Sequence, residues 1–206
     1  MGGESVRHLA ADDLAPGRAA VTRAVAQINP CDEVEREHRA TVLDWISSGA
    51  QLYRTVPPDT PPMHLVSYFV PFDAGRGELL LAAHRKSGLT LPPGGHCEQD
   101  ETLWQTTQRE CVEELGLPAV PLAELNLGDR PFFVTVTQTR HPTGRHTDVS
   151  LWFVLAVAAD DPHLRPDPRE FSGVRWLTLE RTLAEPLDGF DPHMHRFTRK
   201  LQASLG

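Results

Sequence analysis

The chain has 206 residues, 18 prolines, three cysteines and a formal net charge of −8. That length suits one well-buried domain with an appendage, and the apolar and charged fractions are those of a soluble globular protein. The acidic balance argues against a nucleic-acid scaffold or a membrane-surface protein, and no apolar run is long enough to span a bilayer.

Cys31, Cys97 and Cys111 are an odd set without metal-ligand spacing, and the N-terminus lacks a secretory apolar core. A reduced cytoplasm is therefore the expected compartment. Residues 1–18 are polar and punctuated by Gly and Pro, so they are expected to fray. Residues 19–28 read as a short helix stopped by Asn29-Pro30. Residues 32–48 read as a longer one, capped by Asp32, with Val34, Val42, Trp45 and Ile46 as its apolar stripe. The stretch 56–62 holds four prolines and reads as a strap between an N-terminal extension, 1–62, and a main domain, 63–206. In the main domain the pattern turns to strands: 64–72 and 78–84 are joined by a hairpin-like connection at 73–77. Residues 131–139 and 149–158 are two further strands around a polar loop, 140–148. A short strand at 174–177 and helices at about 178–185 and 192–204 complete the order. This mixture predicts an α/β/α sandwich around a mixed sheet, with an N-terminal helical appendage.

Between the strands lies GHCEQDETLWQTTQRECVEELGL, residues 95–117. Asp100 is a candidate N-cap, Glu101 suits the first turn of a helix, and Gly116 sits where a helix ends in a left-handed residue. One helix over about 101–115 is expected. Glu110, Glu113 and Glu114 then fall at i, i+3 and i+4, on one face. Three crowded carboxylates repel one another; a bound divalent cation relieves that repulsion, and all-oxygen donors point to Mg²⁺ or Mn²⁺ rather than zinc. The preceding Pro92-Pro93-Gly94-Gly95 loop lets backbone approach an ion or phosphate closely.

The spacing G-x5-E-x7-R-E-U-x-E-E-x-G-U, with U a bulky apolar residue, resembles the signature of the Nudix hydrolases. Only Cys111 departs mildly, standing where an aliphatic residue is usual. The resemblance covers roughly residues 63–205. It implies the α/β/α fold and a Mg²⁺-dependent cleavage (Mn²⁺ as substitute) of a nucleoside diphosphate derivative by water attack on phosphorus. It implies that Glu110, Glu113 and Glu114 hold the metal, with Glu101 supporting from the start of the helix and the Gly94 carbonyl adding a ligand. Arg109 would pair with a box glutamate and fix its rotamer.

A later loop acid often serves as base or extra ligand in this family, and Glu170 is the candidate, with Asp148 a weaker one. Gly94 and Gly95 would also line the substrate, and Arg85, beside His84 and Lys86, is the best phosphate-binding cation. Arg140, His141, Arg145 and His146 form a polar loop, read chiefly as surface. His96 receives no proton-transfer role, His193 and His195 belong to a helix start, and Cys97 has no base beside it. The four tryptophans read as packing residues. The expected partner is a nucleoside diphosphate-type small molecule, with no nucleic acid or membrane. Residues 19–55 are expected beside the substrate mouth or a homodimer interface.

The alternative is a non-catalytic Nudix-fold ligand-binding or regulatory module. Such modules lose box glutamates, and all four are present here. Isopentenyl diphosphate isomerase shares the fold but has a departed box. The segment 191–199 contains no asparagine, which weakens a reading based on 8-oxo-dGTP.

Overall fold

The computed structural model describes residues 15–56, 60–141 and 144–206. Two helices come first, α1 (Ala15–Ala26) and α2 (Glu33–Ser47). The strands and remaining helices follow as β1 (Met63–Asp73), β2 (Glu78–His84), β3 (Thr90–Leu91), β4 (Gly94–His96), α3 (Leu103–Leu115), β5 (Phe133–His141), β6 (Gly144–Ala156), β7 (Phe171–Thr178), α4 (Leu179–Ala184) and α5 (Met194–Leu205).

The described strands form one mixed sheet. β1 runs parallel to β6 from Met63↔Thr147 to Phe72↔Ala156, and β5 is antiparallel to β6. Side-chain alternation divides the core into two layers. Leu65 and Phe69 of β1, with Leu151 and Phe153 of β6, face α1, α2 and α3 through Val25, Val42, Ile46, Cys111 and Leu115. Val70 and Phe72, with Trp152 and Val154, face α4 and α5 through Leu179, Met194, Phe197 and Leu201. The expected α/β/α sandwich is present, with the N-terminal helices packed against it.

β1 has two partners on its other edge. Its end pairs with β2 only at Phe72↔Leu79 and Asp73↔Glu78, where the hairpin closes. β2 then pairs with β7 and, at Ala82↔Leu91, with β3. The edge of β1 that β2 leaves is taken by β4, through Val66↔His96, Ser67↔Gly95 and Tyr68↔Gly94. Three residues of β4 thus fill a gap in the sheet and place the start of the glycine-rich segment against its centre.

Several boundaries differ from the sequence reading. Residues 15–18 are helical, while 1–14 lie outside the described residues, as do 57–59 of the proline strap. The box helix is capped by Thr102 rather than Asp100. The Thr102 hydroxyl accepts from Gln105 N–H, and the Gln105 side chain returns to Thr102 N–H, a reciprocal capping box that places Glu101 just ahead of the helix. The polar stretch 140–148 is largely strand: Thr137↔Asp148 and Thr139↔His146 continue the β5–β6 ladder, and the Thr139 hydroxyl donates across it to Asp148 Oδ2. On α2 the expected stripe holds at Val42, Ile46 and Trp45, but Val34 is 41 % exposed and Glu35 takes the buried position beside it.

The buried Glu35 has a specific cause. Lys200 Nζ of α5 donates to Glu35 Oε1 (2.7 Å) and to the Phe132 carbonyl (2.6 Å). Cys31 N–H donates to Glu35 Oε2 (2.7 Å), and Arg196 grips the α2 cap Asp32 at both carboxylate oxygens (2.6 and 2.8 Å). Two charge pairs therefore fasten α2 to α5. Removing one member of a buried pair costs about 3–5 kcal/mol, because the other charge is stranded. Lys200→Met should lower unfolding stability by about that amount in urea titration, and Glu35→Leu with Lys200→Met should recover most of it.

Candidate active site

The glycines of β4 are fixed by space as much as by conformation. Gly94 has φ 148°, and a Cβ there would lie 2.1 Å from the Ser67 carbonyl oxygen. A Cβ on Gly95 would lie 1.9 Å from Glu110 Oε1. Backbone without side chains is the only form of chain that fits between β1 and the box helix here. In return, Gly94 N–H donates to Glu114 Oε2 at 2.7 Å.

The carboxylates on the other side of this contact converge on one guanidinium. Arg109 Nε and Nη2 donate to Glu101 Oε1 and Oε2 (2.8 and 3.0 Å), Nη1 donates to Glu110 Oε1 (2.7 Å), and Nη2 also reaches the His96 carbonyl (3.2 Å). Glu113 Oε2 is farther, 3.4 Å from Nη1, and its side chain is 60 % exposed. Glu101 is anchored again by the Thr106 hydroxyl (2.9 Å). The structure thus brings Gly94, Gly95, Glu101, Arg109, Glu110 and Glu114 together, with Glu113 at the rim.

Arg109 serves three of the four carboxylates and leaves Glu114 out, and the electrostatics show the imbalance. Glu101 is pulled down, chiefly by its hydrogen bonds to Arg109. Glu110 is pushed up by burial despite Arg109. Glu114 is pushed up to about 8, first by burial and then by the charge of Glu110. A divalent cation matches this donor set: hard oxygens, clustered and short of positive charge. Glu110 and Glu114 are the best-placed ligands, with Glu113 at the rim and Glu101 behind Arg109.

The Glu170 loop is tied to the same helix. Arg165 N–H donates to the Leu115 carbonyl (2.7 Å) and Asp167 N–H to the Glu114 carbonyl (2.8 Å), which satisfies the orphan carbonyls at the end of α3. Glu170 is exposed, 3.8 Å from His84 Nε2, and its charge contributes to the upward push on Glu114. Arg85 is committed mainly to this loop. Its N–H donates to the Glu170 carbonyl (2.9 Å) and its Nε to the carbonyls of Pro168 (2.8 Å) and Phe171 (3.2 Å). His193 sits at the start of α5, where Arg196 Nη1 donates to its Nδ1 (2.9 Å), and burial holds it at about 4. Cys97 and Cys111 are buried thiols pushed up to about 12, poor nucleophiles both. The side chains of Arg140, His141 and Arg145 lie outside the described residues.

On the opposite face of β4 is a group that the sequence did not single out as a unit. His64 pairs across β1–β6 with Asp148, His146 lies two residues away on the same face, and the His64 ring centroid is 4.9 Å from that of His96 and 5.3 Å from that of His146. Arg54, half-buried ahead of the proline strap, is within electrostatic reach of both Asp148 and Glu110. Burial and Arg54 together hold His96 at about 3, a neutral imidazole. Asp191 is pushed up to about 6 by burial and by Asp148. The available signal was His146-x-Asp148, whose period of two puts both on one side of a strand. His64, Arg54 and Asp191 carried no local pattern.

Residues 63–201 match the family model of the NUDIX domain. The chain is 30% identical over 135 residues to a Shigella flexneri protein described as the uncharacterized Nudix hydrolase YfcD, a match covering 63% of this chain and 66% of that relative. The chain thus spans just under two thirds of that relative's length. Among solved structures it is similar to a MutT protein from Methanosarcina mazei (TM-score 0.52, 18% identity, 72% of this chain and 97% of the other). It is also similar to a MutT NUDIX hydrolase from Burkholderia pseudomallei (TM-score 0.50, 17% identity, 68% of this chain and 98% of the other). At these identities the likeness to the two structures is one of fold.

The carboxylate imbalance has a thermodynamic signature. A carboxyl whose folded pKa lies above its unfolded value is favoured protonated in the native state. Its contribution is whole below the unfolded value of 4.5 and is lost as pH rises through about 8. In chelator, thermal stability should therefore fall between those two values, by on the order of a few kcal/mol. Glu114→Gln should flatten the profile, and added Mg²⁺ should restore stability at the alkaline end. Differential scanning calorimetry across pH checks both.

Proposed function

The chain belongs to the Nudix family of hydrolases, and on that premise we propose that it cleaves the diphosphate linkage of a nucleoside diphosphate derivative, with Mg²⁺ as its ion and Mn²⁺ as a substitute. The observation that carries this reading is the pair of partly buried carboxylates, Glu110 and Glu114, pressed against side-chain-free backbone and short of positive charge. A polar arrangement this unfavourable by itself calls for a cation.

When bound, the ion would neutralise the diphosphate and lower the pKa of the attacking water. The protein residues have separable tasks. Glu110 and Glu114 hold the ion, with Glu113 at the rim and the Gly94 carbonyl as a further donor. Arg109 is a positioning residue: held by Glu101, it sets the rotamer of Glu110. Gly94 N–H does the same for Glu114. Glu170 is the group best suited to take the proton of the attacking water. It is exposed, it is within electrostatic reach of Glu114, and its neighbour at 3.8 Å is His84, whose pKa burial lowers. Arg85 braces the Glu170 loop through its Nε, and its Nη groups are left to meet phosphate. Residues 51–56 border the site through Arg54, which supports a role for the N-terminal extension at the substrate mouth.

A panel of nucleoside triphosphates, sugar nucleotides and dinucleotides, assayed for product release with Mg²⁺, tests the reading. Glu110→Gln should lose about 100-fold or more in kcat, with weaker dependence on added metal. Gly95→Ala should show a similar loss with every carboxylate in place, because its methyl displaces Glu110. Turnover of Glu110→Gln at the wild-type rate would overturn the proposal. Glu170→Gln should lower kcat by about 10²–10⁴ while metal affinity holds. If Glu113→Gln shows that loss instead, the proton acceptor is Glu113.

A further inference from the structure

The geometry points to a second cation site, distinct from the box, in which His64, His146 and Asp148, with His96 alongside, take a divalent transition ion of the zinc type. His64, His146 and Asp148 can each offer one donor atom within 4.8 Å of the others. His64 is fully buried, and His64 Nε2, His96 Nε2, His146 Nδ1 and Asp148 Oδ1 are buried without a hydrogen-bond partner among the described residues. Unpartnered buried polar atoms are costly, and a cation held between His64, His146 and Asp148 would take up two of them, His64 Nε2 and Asp148 Oδ1.

The tautomer of His64 sharpens the point. Its Nδ1 lies 2.8 Å from the Pro61 carbonyl oxygen, which can only accept, so Nδ1 carries the proton. In the neutral ring Nε2 then presents a lone pair, and that lone pair is 3.3 Å from Asp148 Oδ1, also a lone-pair bearer. His146 Nε2 approaches the same oxygen at 3.4 Å. Neither approach is aligned as a hydrogen bond, since Oδ1 remains unpartnered. A proton on His146 Nε2 would bridge that pair but leave the His64 Nε2 lone pair facing Oδ1; a cation serves both.

The spacing fits an ion. Two donors on a tetrahedral centre with bonds of about 2.0–2.1 Å lie roughly 3.3–3.4 Å apart. The two measured separations are 3.3 and 3.4 Å. The surrounding bonds are those that orient metal ligands: Nδ1–H of His64 on a backbone carbonyl, and Asp148 Oδ2 accepting from the Thr139 hydroxyl at 2.9 Å, which leaves Oδ1 free. Imidazole-rich donors select zinc-like ions over Mg²⁺, whereas the box carboxylates do the opposite. The three donors come from β1 and β6, and His96 of β4 packs its ring against His64, so the ion would sit behind the box where these strands meet.

Zinc binding to the chelator-stripped full chain, in competition with a chromophoric chelator, tests the inference in a background that is independent of the box. One equivalent should bind both to wild type and to Glu110→Gln/Glu114→Gln. His146→Ala and Asp148→Asn should each weaken it at least about tenfold, as loss of a ligand costs no less than loss of its supporting bond. X-ray absorption at the zinc edge of the wild-type protein should show nitrogen and oxygen neighbours with at least two imidazoles, a readout that stands even if a variant fails to fold. Absence of zinc binding in the box variant, affinity unchanged by His146→Ala and Asp148→Asn, or an all-oxygen shell would each overturn the site.

Discussion

The structure turns on the contact between β4 and its two neighbours. Gly94 and Gly95 stand where any Cβ would overlap the Ser67 carbonyl or the Glu110 carboxylate. Because they carry no side chain, three residues of backbone can close the edge of β1 that β2 leaves after two pairs. The same closeness puts Gly94 N–H on Glu114 and brings the His96 carbonyl to Arg109. A bulkier residue at Gly94 would open the sheet and one at Gly95 would displace the Glu110 carboxylate, so fold and site depend on adjacent steric conditions.

Held this way, the box is a network with a deliberate deficit. Arg109 has ordered ligands, but it is shared among Glu101, Glu110 and Glu113, and it does not reach Glu114 within hydrogen-bond distance among the described residues. Its strong hold on Glu101 leaves Glu110 and Glu114 under-compensated, which is the condition under which a hard divalent ion binds best. The buried Glu35–Lys200 pair shows the contrast: there one carboxylate meets one ammonium, with a backbone donor completing the set, and nothing remains for an outside ion. Matched charge serves attachment of α2 to α5; unmatched charge serves the box.

Legibility in the sequence followed the range of the interaction. The face shared by Glu110, Glu113 and Glu114, the left-handed stop at Gly116 and the Asp32 cap are set within a turn or two of helix, and spacing alone revealed them. The cap of α3 was misplaced by two residues because Asp100 and Thr102 are both acceptable caps, and only the reciprocal bond to Gln105 decides between them. Nothing local marks Glu35 for burial, because its partner, Lys200, lies at the other end of the chain. The stretch around Asp148 read as loop for a related reason. Its polar residues are buried by one another and by His64, through a parallel pairing that no local pattern encodes.

Alternation along β4 separates two kinds of donor. Gly95 faces the box helix, opposite Ser67, whereas His96 faces away from it, opposite Val66 and beside His64. One peptide step therefore divides an all-oxygen cluster from a nitrogen-rich one. Arg54, within reach of Asp148 on one side and Glu110 on the other, adds positive charge between them and opposes a single ion drawing ligands from both. Distinct donor chemistry on the two faces would let each select its own ion: carboxylates favour a small hard cation, and buried imidazoles a softer, zinc-like one. An ion fixed behind β4 would stiffen the strand whose glycines position Glu110 and Glu114, so the second site would act on the first through backbone placement rather than by sharing its chemistry.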